Sequence, residues 1–315
     1  MKSFWLRLIV IAVLFMPMSP LIAKTTGPCK KIRFSDVGWT DITSTTALTS
    51  CILKAIGYQP KTYLLALPVT FTSLKNNDID VFLGLWMPTM TSDITPYFKE
   101  KSIELVRTNL EGAKYTLAVP KYVYDAGVKT FADLHKFEKE FKREIYGIEA
   151  GNDGNRLIID MIKKNAFGLK KWTIRESSEQ GMIGQVQRAV KRKKWIVFLG
   201  WEPHPMNADF DMAYLSGGDD YFGPNYGGAI VQTVVRKGFI KECPNVGKFI
   251  KNLSFTLKME NEVMALILNQ NMRHEKAAEH WLKNNPEILD KWLNGITTVD
   301  GMPALPRAKQ SLGIQ

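Results

Sequence analysis

Residues 80–88, Asp80-Val81-Phe82-Leu83-Gly84-Leu85-Trp86-Met87-Pro88, read as a short apolar strand that runs into Gly, Trp and then Pro. The pattern returns in Ile196-Val197-Phe198-Leu199-Gly200-Trp201-Glu202-Pro203, and a third strand-like stretch, Phe34 to Val37, leads into Gly38-Trp39. Short apolar runs bounded by turn formers fit the buried strands of an α/β sheet. The flanking sequence agrees with this. The pattern predicts a strand at 32–37, a helix at 42–56, a strand at 61–66, a short helix around Leu74 and a strand at 81–85. Further strands are expected at 113–120, 145–149, 196–199 and 228–236, with helices at 131–141 and 156–164 between them. Such alternation predicts an α/β fold with mostly parallel strands. From Val246 to Gly295 the pattern is helical and amphipathic.

In open α/β sheets ligands bind beyond the carboxyl ends of the strands. Trp39, Trp86 and Trp201 therefore stand where a ligand site is expected, although each ring taken alone also fits core packing. Trp172 and Trp195 flank charged segments, and Trp281 and Trp292 fall in the helical C-terminal region, where structural roles are expected. Asp41 lies two residues beyond Trp39; it serves either a ligand or, as N-cap, the helix beginning at Ile42. Gly151-Asn152-Asp153-Gly154-Asn155-Arg156 joins a strand to a helix. It either presents N–H groups and amides to a small polar group or simply caps that helix. Its glycines lack the spacing of a dinucleotide fingerprint. Several aromatic faces with few charges suit a quaternary ammonium, which has no N–H to donate but is attracted by π faces that also bury its methyl groups.

The 315 residues are 45% hydrophobic and 23% charged, which excludes disorder, collagen and coiled coil as the main architecture and is long enough for two domains. Residues 1–23 have the form of an export signal: Lys2 and Arg7, the apolar run Leu8 to Phe15, and an end near Ala23. That run is about half the ~20 residues of a membrane span. Loss of Lys2 and Arg7 would lower the net charge from +11 to +9. In an oxidising compartment two of the three cysteines are candidates to pair. Cys51 falls on an apolar helix face and reads as a buried free thiol, which leaves Cys29 and Cys243. If those two are bonded, the N-terminal strand and a C-terminal segment belong to one domain.

An exported enzyme is the first rival class. His274-Glu275 and His280 lack the spacing of a zinc helix, no G-x-S-x-G occurs, and Gly247-Lys248-Phe249 is not a P-loop, so no catalytic residue, metal or cofactor is expected. His204 alone of the four histidines falls near the Trp201 loop. A nucleic-acid binder is the second rival. The densest basic run, Lys191-Arg192-Lys193-Lys194, reads instead as a solvated helix C-terminus.

Together, Gly38-Trp39-Thr40-Asp41, Phe82-Leu83-Gly84-Leu85-Trp86-Met87-Pro88, Gly151-Asn152-Asp153-Gly154-Asn155 and Gly200-Trp201-Glu202-Pro203-His204-Pro205 resemble the substrate-binding proteins of ABC importers for choline and glycine betaine, most closely the periplasmic choline-binding members. The resemblance runs from about Cys29 to Pro303. It implies the periplasmic binding protein fold, with two α/β domains joined by two crossover segments and the ligand in the cleft. Domain I is then expected at 24–113 and 230–315, and domain II at 114–229. It further implies an aromatic box of Trp39, Trp86, Tyr115 and Trp201, with Asp41 and Asn152 on the alcohol end of choline. The Cys29–Cys243 pairing fits the same members. A monomer in the periplasm that delivers choline to membrane permease subunits, without chemistry of its own, is the resulting expectation. Glycine betaine, carnitine and acetylcholine are the alternative ligands. A carboxyl beside the ligand favours choline's hydroxyl over betaine's carboxylate. Tyr221 and Tyr226 are further candidates to close the cleft.

Overall fold

The structure, a computed structural model, describes residues 28–314; the expected export signal lies outside them. Its strands are β1 (Lys31–Asp36), β2 (Gln59–Leu64), β3 (Val81–Met87), β4 (Ile103–Pro120), β5 (Glu144–Tyr146), β6 (Thr173–Arg175), β7 (Phe198–Glu202), β8 (Met212–Tyr214) and β9 (Gly228–Arg236). Among the described residues they form one mixed sheet in the order β2-β1-β3-β9-β4-β7-β5-β6, with β8 paired to β4. Val81 to Trp86 are all buried, as their unbroken apolar run requires of an interior strand. By contrast β2, with Pro60 and Lys61, is a half-exposed edge.

The strands are less uniformly parallel than the sequence suggests. β1 pairs in parallel with β2 and β3, and β5 with β6 and β7, but every pairing made by β4 or β9 is antiparallel. The reason lies in β4. Its first part pairs with β9 and its last part with β7, so this central strand links the side of the sheet that holds β3 and β9 to the side that holds β7 and β5. The expected domain boundaries, 113/114 and 229/230, fall in β4 and β9 at the registered pair Ala113↔Ala229.

Helices cover the sheet. α1 (Thr40–Ala55) follows β1 and packs against the helices Leu257–Leu268 and His274–Asn284. It begins two residues before the expected Ile42, so its N-cap is Trp39 and Asp41 lies in its first turn. Cys29 and Cys243 are disulfide-bonded, tying the chain before β1 to the helix Pro244–Asn252. Cys51 is free but only partly buried. The region expected to be helical at 131–141 is a 3₁₀ turn over Phe131–Phe137.

Candidate functional site

Trp86 ends the buried run of β3, and Trp201 lies within β7 directly opposite Tyr115 of β4. Strand pairing thus sets Tyr115 and Trp201 edge to face, with centroids 6.3 Å apart, and the Trp86 ring centroid lies 5.9 Å from that of Tyr115. Trp39, at the N-terminus of α1, completes the enclosure. All six residues expected at the site, Trp39, Asp41, Trp86, Tyr115, Asn152 and Trp201, line a single cavity, joined by Ile148 and Asp153. In this conformation the free space is about 20 Å³, roughly enough for one water, so the walls stand almost closed on one another.

The four aromatic residues are each 5% exposed or less, and none of the eight lining side chains is cationic. The polar groups are few and mostly committed. Asn152 is both N-cap and wall. Its Oδ1 accepts from the Asn155 N–H at 3.0 Å and from the Tyr115 hydroxyl at 3.1 Å, which fixes its amide orientation; its Nδ2 donates to Asp153 Oδ1. One N–H of Asn152 is left over. Asp41 Oδ2 accepts the Trp86 indole N–H at 3.1 Å, while Oδ1 is buried without a partner. Asp153 Oδ2 is orphaned likewise. Burial, with the Glu179 carboxylate adding to it, pushes Asp41 up to about 8. Burial pushes Asp153 up to about 6. The cavity therefore offers two acceptors and one donor between π faces, held by carboxyl groups whose ionisation a cation would favour.

Asp153 is a wall residue that the sequence reading passed over; as first residue of the helix Asp153–Lys163 it looked like part of a cap. His204 is not part of the wall. Its Nδ1 accepts the Met206 N–H at 2.9 Å, so Nε2 carries the proton and donates to Glu179 at 3.1 Å. Glu179 in turn accepts the Thr40 N–H at 2.8 Å and the Thr40 hydroxyl at 2.5 Å. Glu149 accepts the Trp39 indole N–H at 2.7 Å. Tyr221 and Tyr226 also stand outside the wall: Tyr221 packs against Phe167, and Tyr226 is 46% exposed.

The model for the substrate-binding domain of ABC-type glycine betaine transport systems matches residues 30–284. The chain belongs to this family. Its fold is accordingly the periplasmic binding protein fold, and its role that of the substrate-binding protein of an ABC importer of the glycine betaine and choline type. An ABC-transporter choline binding protein solved in complex with choline is 59% identical, with 90% of this chain and 99% of that one covered, at a TM-score of 0.89. A choline binding protein in an unliganded, semi-closed conformation gives 59% identity, coverage of 91% and 99%, and a TM-score of 0.84. The glycine betaine/carnitine transport binding protein GbuC of Listeria monocytogenes is 34% identical over 157 residues, which span 50% of this chain and 51% of GbuC. Family membership implies a membrane permease as partner, and substrate binding for transport is the family's role.

Proposed function

We propose that this binding protein takes choline. The observation that carries the reading is the orphaned Asp41 Oδ1, buried in a wall of four aromatic residues beside a spare Asn152 N–H. A hydroxyl is both donor and acceptor, so one alcohol group satisfies both: its hydrogen goes to Asp41 Oδ1 and its oxygen receives the Asn152 N–H. The trimethylammonium end then lies among Trp39, Trp86, Tyr115 and Trp201, where π faces attract the charge and cover the methyl groups. Betaine's carboxylate has no proton to give, so it can bond Asp41 only while Asp41 keeps its own proton and meets a like charge once Asp41 ionises. The choline complex formed by the 59% identical relative supports the same choice.

The walls come from two parts of the chain. Trp39, Asp41 and Trp86 belong to 24–113, and Tyr115, Ile148, Asn152, Asp153 and Trp201 to 114–229. With 230–315 joining the first part, the two halves hinge where β4 and β9 cross, and ligand is captured by closure. Export through residues 1–23 to the periplasm, capture without chemistry and delivery to the permease complete the reading. Calorimetry on the chain lacking residues 1–23 tests it. Choline is expected to bind at micromolar concentration or tighter, with betaine clearly weaker; equal affinities, or no choline heat, overturn the assignment.

A further inference from the structure

α1 is a sixteen-residue helix with no side-chain cap of its own: Trp39 stands at its N-cap position and donates no capping oxygen. The first N–H groups of a helix need an acceptor, and a carboxylate is favoured there by the helix dipole. The missing oxygen comes from Glu179, 139 residues away. Its Oε2 takes the Thr40 N–H, its Oε1 takes the Thr40 hydroxyl, and His204, locked in one tautomer by Met206, donates to the same Oε1. All three residues are buried to within 3%, so the carboxylate is held by three donors with little water around it.

Thr40 belongs to one half of the proposed hinge, and Glu179 and His204 to the other. Thr40 also separates two cavity residues, Trp39 and Asp41, while neither Glu179 nor His204 touches the cavity. We propose that Glu179, aimed by His204, is a helix cap supplied across the cleft: closing the halves caps α1, and opening them uncaps it. Glu179 is thus a positioning residue that sets the closing equilibrium and, through it, the hold on any ligand. Because it makes no contact with the ligand, closure through it scales all affinities alike; it reaches choice only indirectly, by opposing the ionisation of Asp41.

The inference rests on the reading of two hinged halves around a quaternary ammonium, and the test separates the two. Dissociation of choline and of tetramethylammonium is followed by stopped-flow indole fluorescence at about pH 9.5, where Asp41 is ionised with or without Glu179. Glu179→Ala is expected to speed both about tenfold, the scale of a lost helix cap, with their ratio unchanged. Glu179→Gln, which keeps one acceptor and the side-chain volume, should fall between it and the parent, as should His204→Ala. Unchanged dissociation overturns the proposal. So does a changed ratio, which would make Glu179 a ligand contact, or an equal fall in Tm with and without ligand, which would make it a permanent brace. If the parent binds neither cation, the ligand assignment fails and small-angle scattering of the ligand-free proteins judges the latch. Glu179→Ala must then be the more expanded of the two; equal radii overturn the cap.

Discussion

Two aspartates stand near opposite ends of β3, both buried, and they are built in opposite ways. Asp80, just before the strand, accepts from the Arg33 N–H at 2.8 Å, from Arg33 Nε and Nη2 at 2.9 and 2.7 Å, and from Arg236 Nε at 2.7 Å. Burial alone would raise its carboxyl, but the bonds from the two arginines outweigh it and hold it below the ordinary range. Asp41, against Trp86 at the far end, has one indole donor, one empty oxygen and no cation, and burial carries it up to about 8. A buried carboxylate with its charges matched joins β1, β3 and β9. A buried carboxyl left unmatched is a place where something else is meant to bring the charge.

The comparison breaks most visibly at Asp80. Asp80→Ala leaves two guanidinium groups facing a vacated site, and removing one member of a buried pair costs about 3–5 kcal/mol. Urea unfolding should register that loss, while choline affinity in the still-folded protein changes by less than about twofold, because distant sites are independent. At the other end, Trp86→Ala is expected to spare the fold and weaken every quaternary ammonium by about thirtyfold, one desolvated ring being worth about 2 kcal/mol. If Asp80→Ala loosened choline more than Trp86→Ala did, the division between scaffold and site would be wrong.

That division was only partly visible in the sequence. Trp39, Trp86 and Trp201 were legible because each follows or closes an apolar strand within two residues of a glycine. Tyr115 was not, and entered only through the family resemblance. Its physical mark lies elsewhere in the chain: a Cβ at Gly154 would come within 2.1 Å of the Tyr115 hydroxyl, so only glycine fits there. The early half of β4 went unread because its pairing with β9 shifts register between Leu105 and Arg107, between Thr108 and Leu110 and again before Ala113, which breaks the period of two. The direction of the central strands was misjudged for a related reason, since apolar runs carry no sign of what they pair with. Glu179 and His204 could not be found locally, because the cap they provide belongs to a helix far back in the chain.

Smaller in effect, and more discriminating, is Asp41→Asn. It keeps the shape and the Trp86 contact but turns a charge-assisted acceptor into a neutral one, a loss of about 1–1.5 kcal/mol, so choline should weaken about tenfold while tetramethylammonium, lacking a hydroxyl, changes far less. The pH dependence carries the same information. With Asp41 raised from 3.8 to about 8, the empty folded protein holds a proton that the unfolded chain releases. Stability of the ligand-free protein therefore falls as pH rises through that window. A cation favours the ionised form, so choline affinity should climb from pH 6 to about 8, by at most about tenfold per unit, and flatten above it. Betaine, whose carboxylate can use the Asp41 proton, should not follow. Asp41→Asn should flatten the choline profile, and a parent profile that is already flat would remove Asp41 from the site.

The smallest expected effect comes from an ion pair that joins the two proposed halves. Arg156 donates to both oxygens of Asp93 at 3.2 and 2.7 Å and to the Thr89 carbonyl at 2.8 Å. In residue types this resembles the Arg33–Asp80 pair, but its side chains are 39% and 24% exposed. Water and salt already serve such groups when the cleft is open, so closing it gains only about 0–1 kcal/mol. Arg156→Ala should therefore weaken choline by no more than about fivefold at low salt and by almost nothing at about 1 M, where the screening length is near 3 Å. A loss as large as that of Trp86→Ala, persisting in high salt, would place Arg156 beside Asp80 as a structural charge rather than at the rim of a cleft that opens and closes.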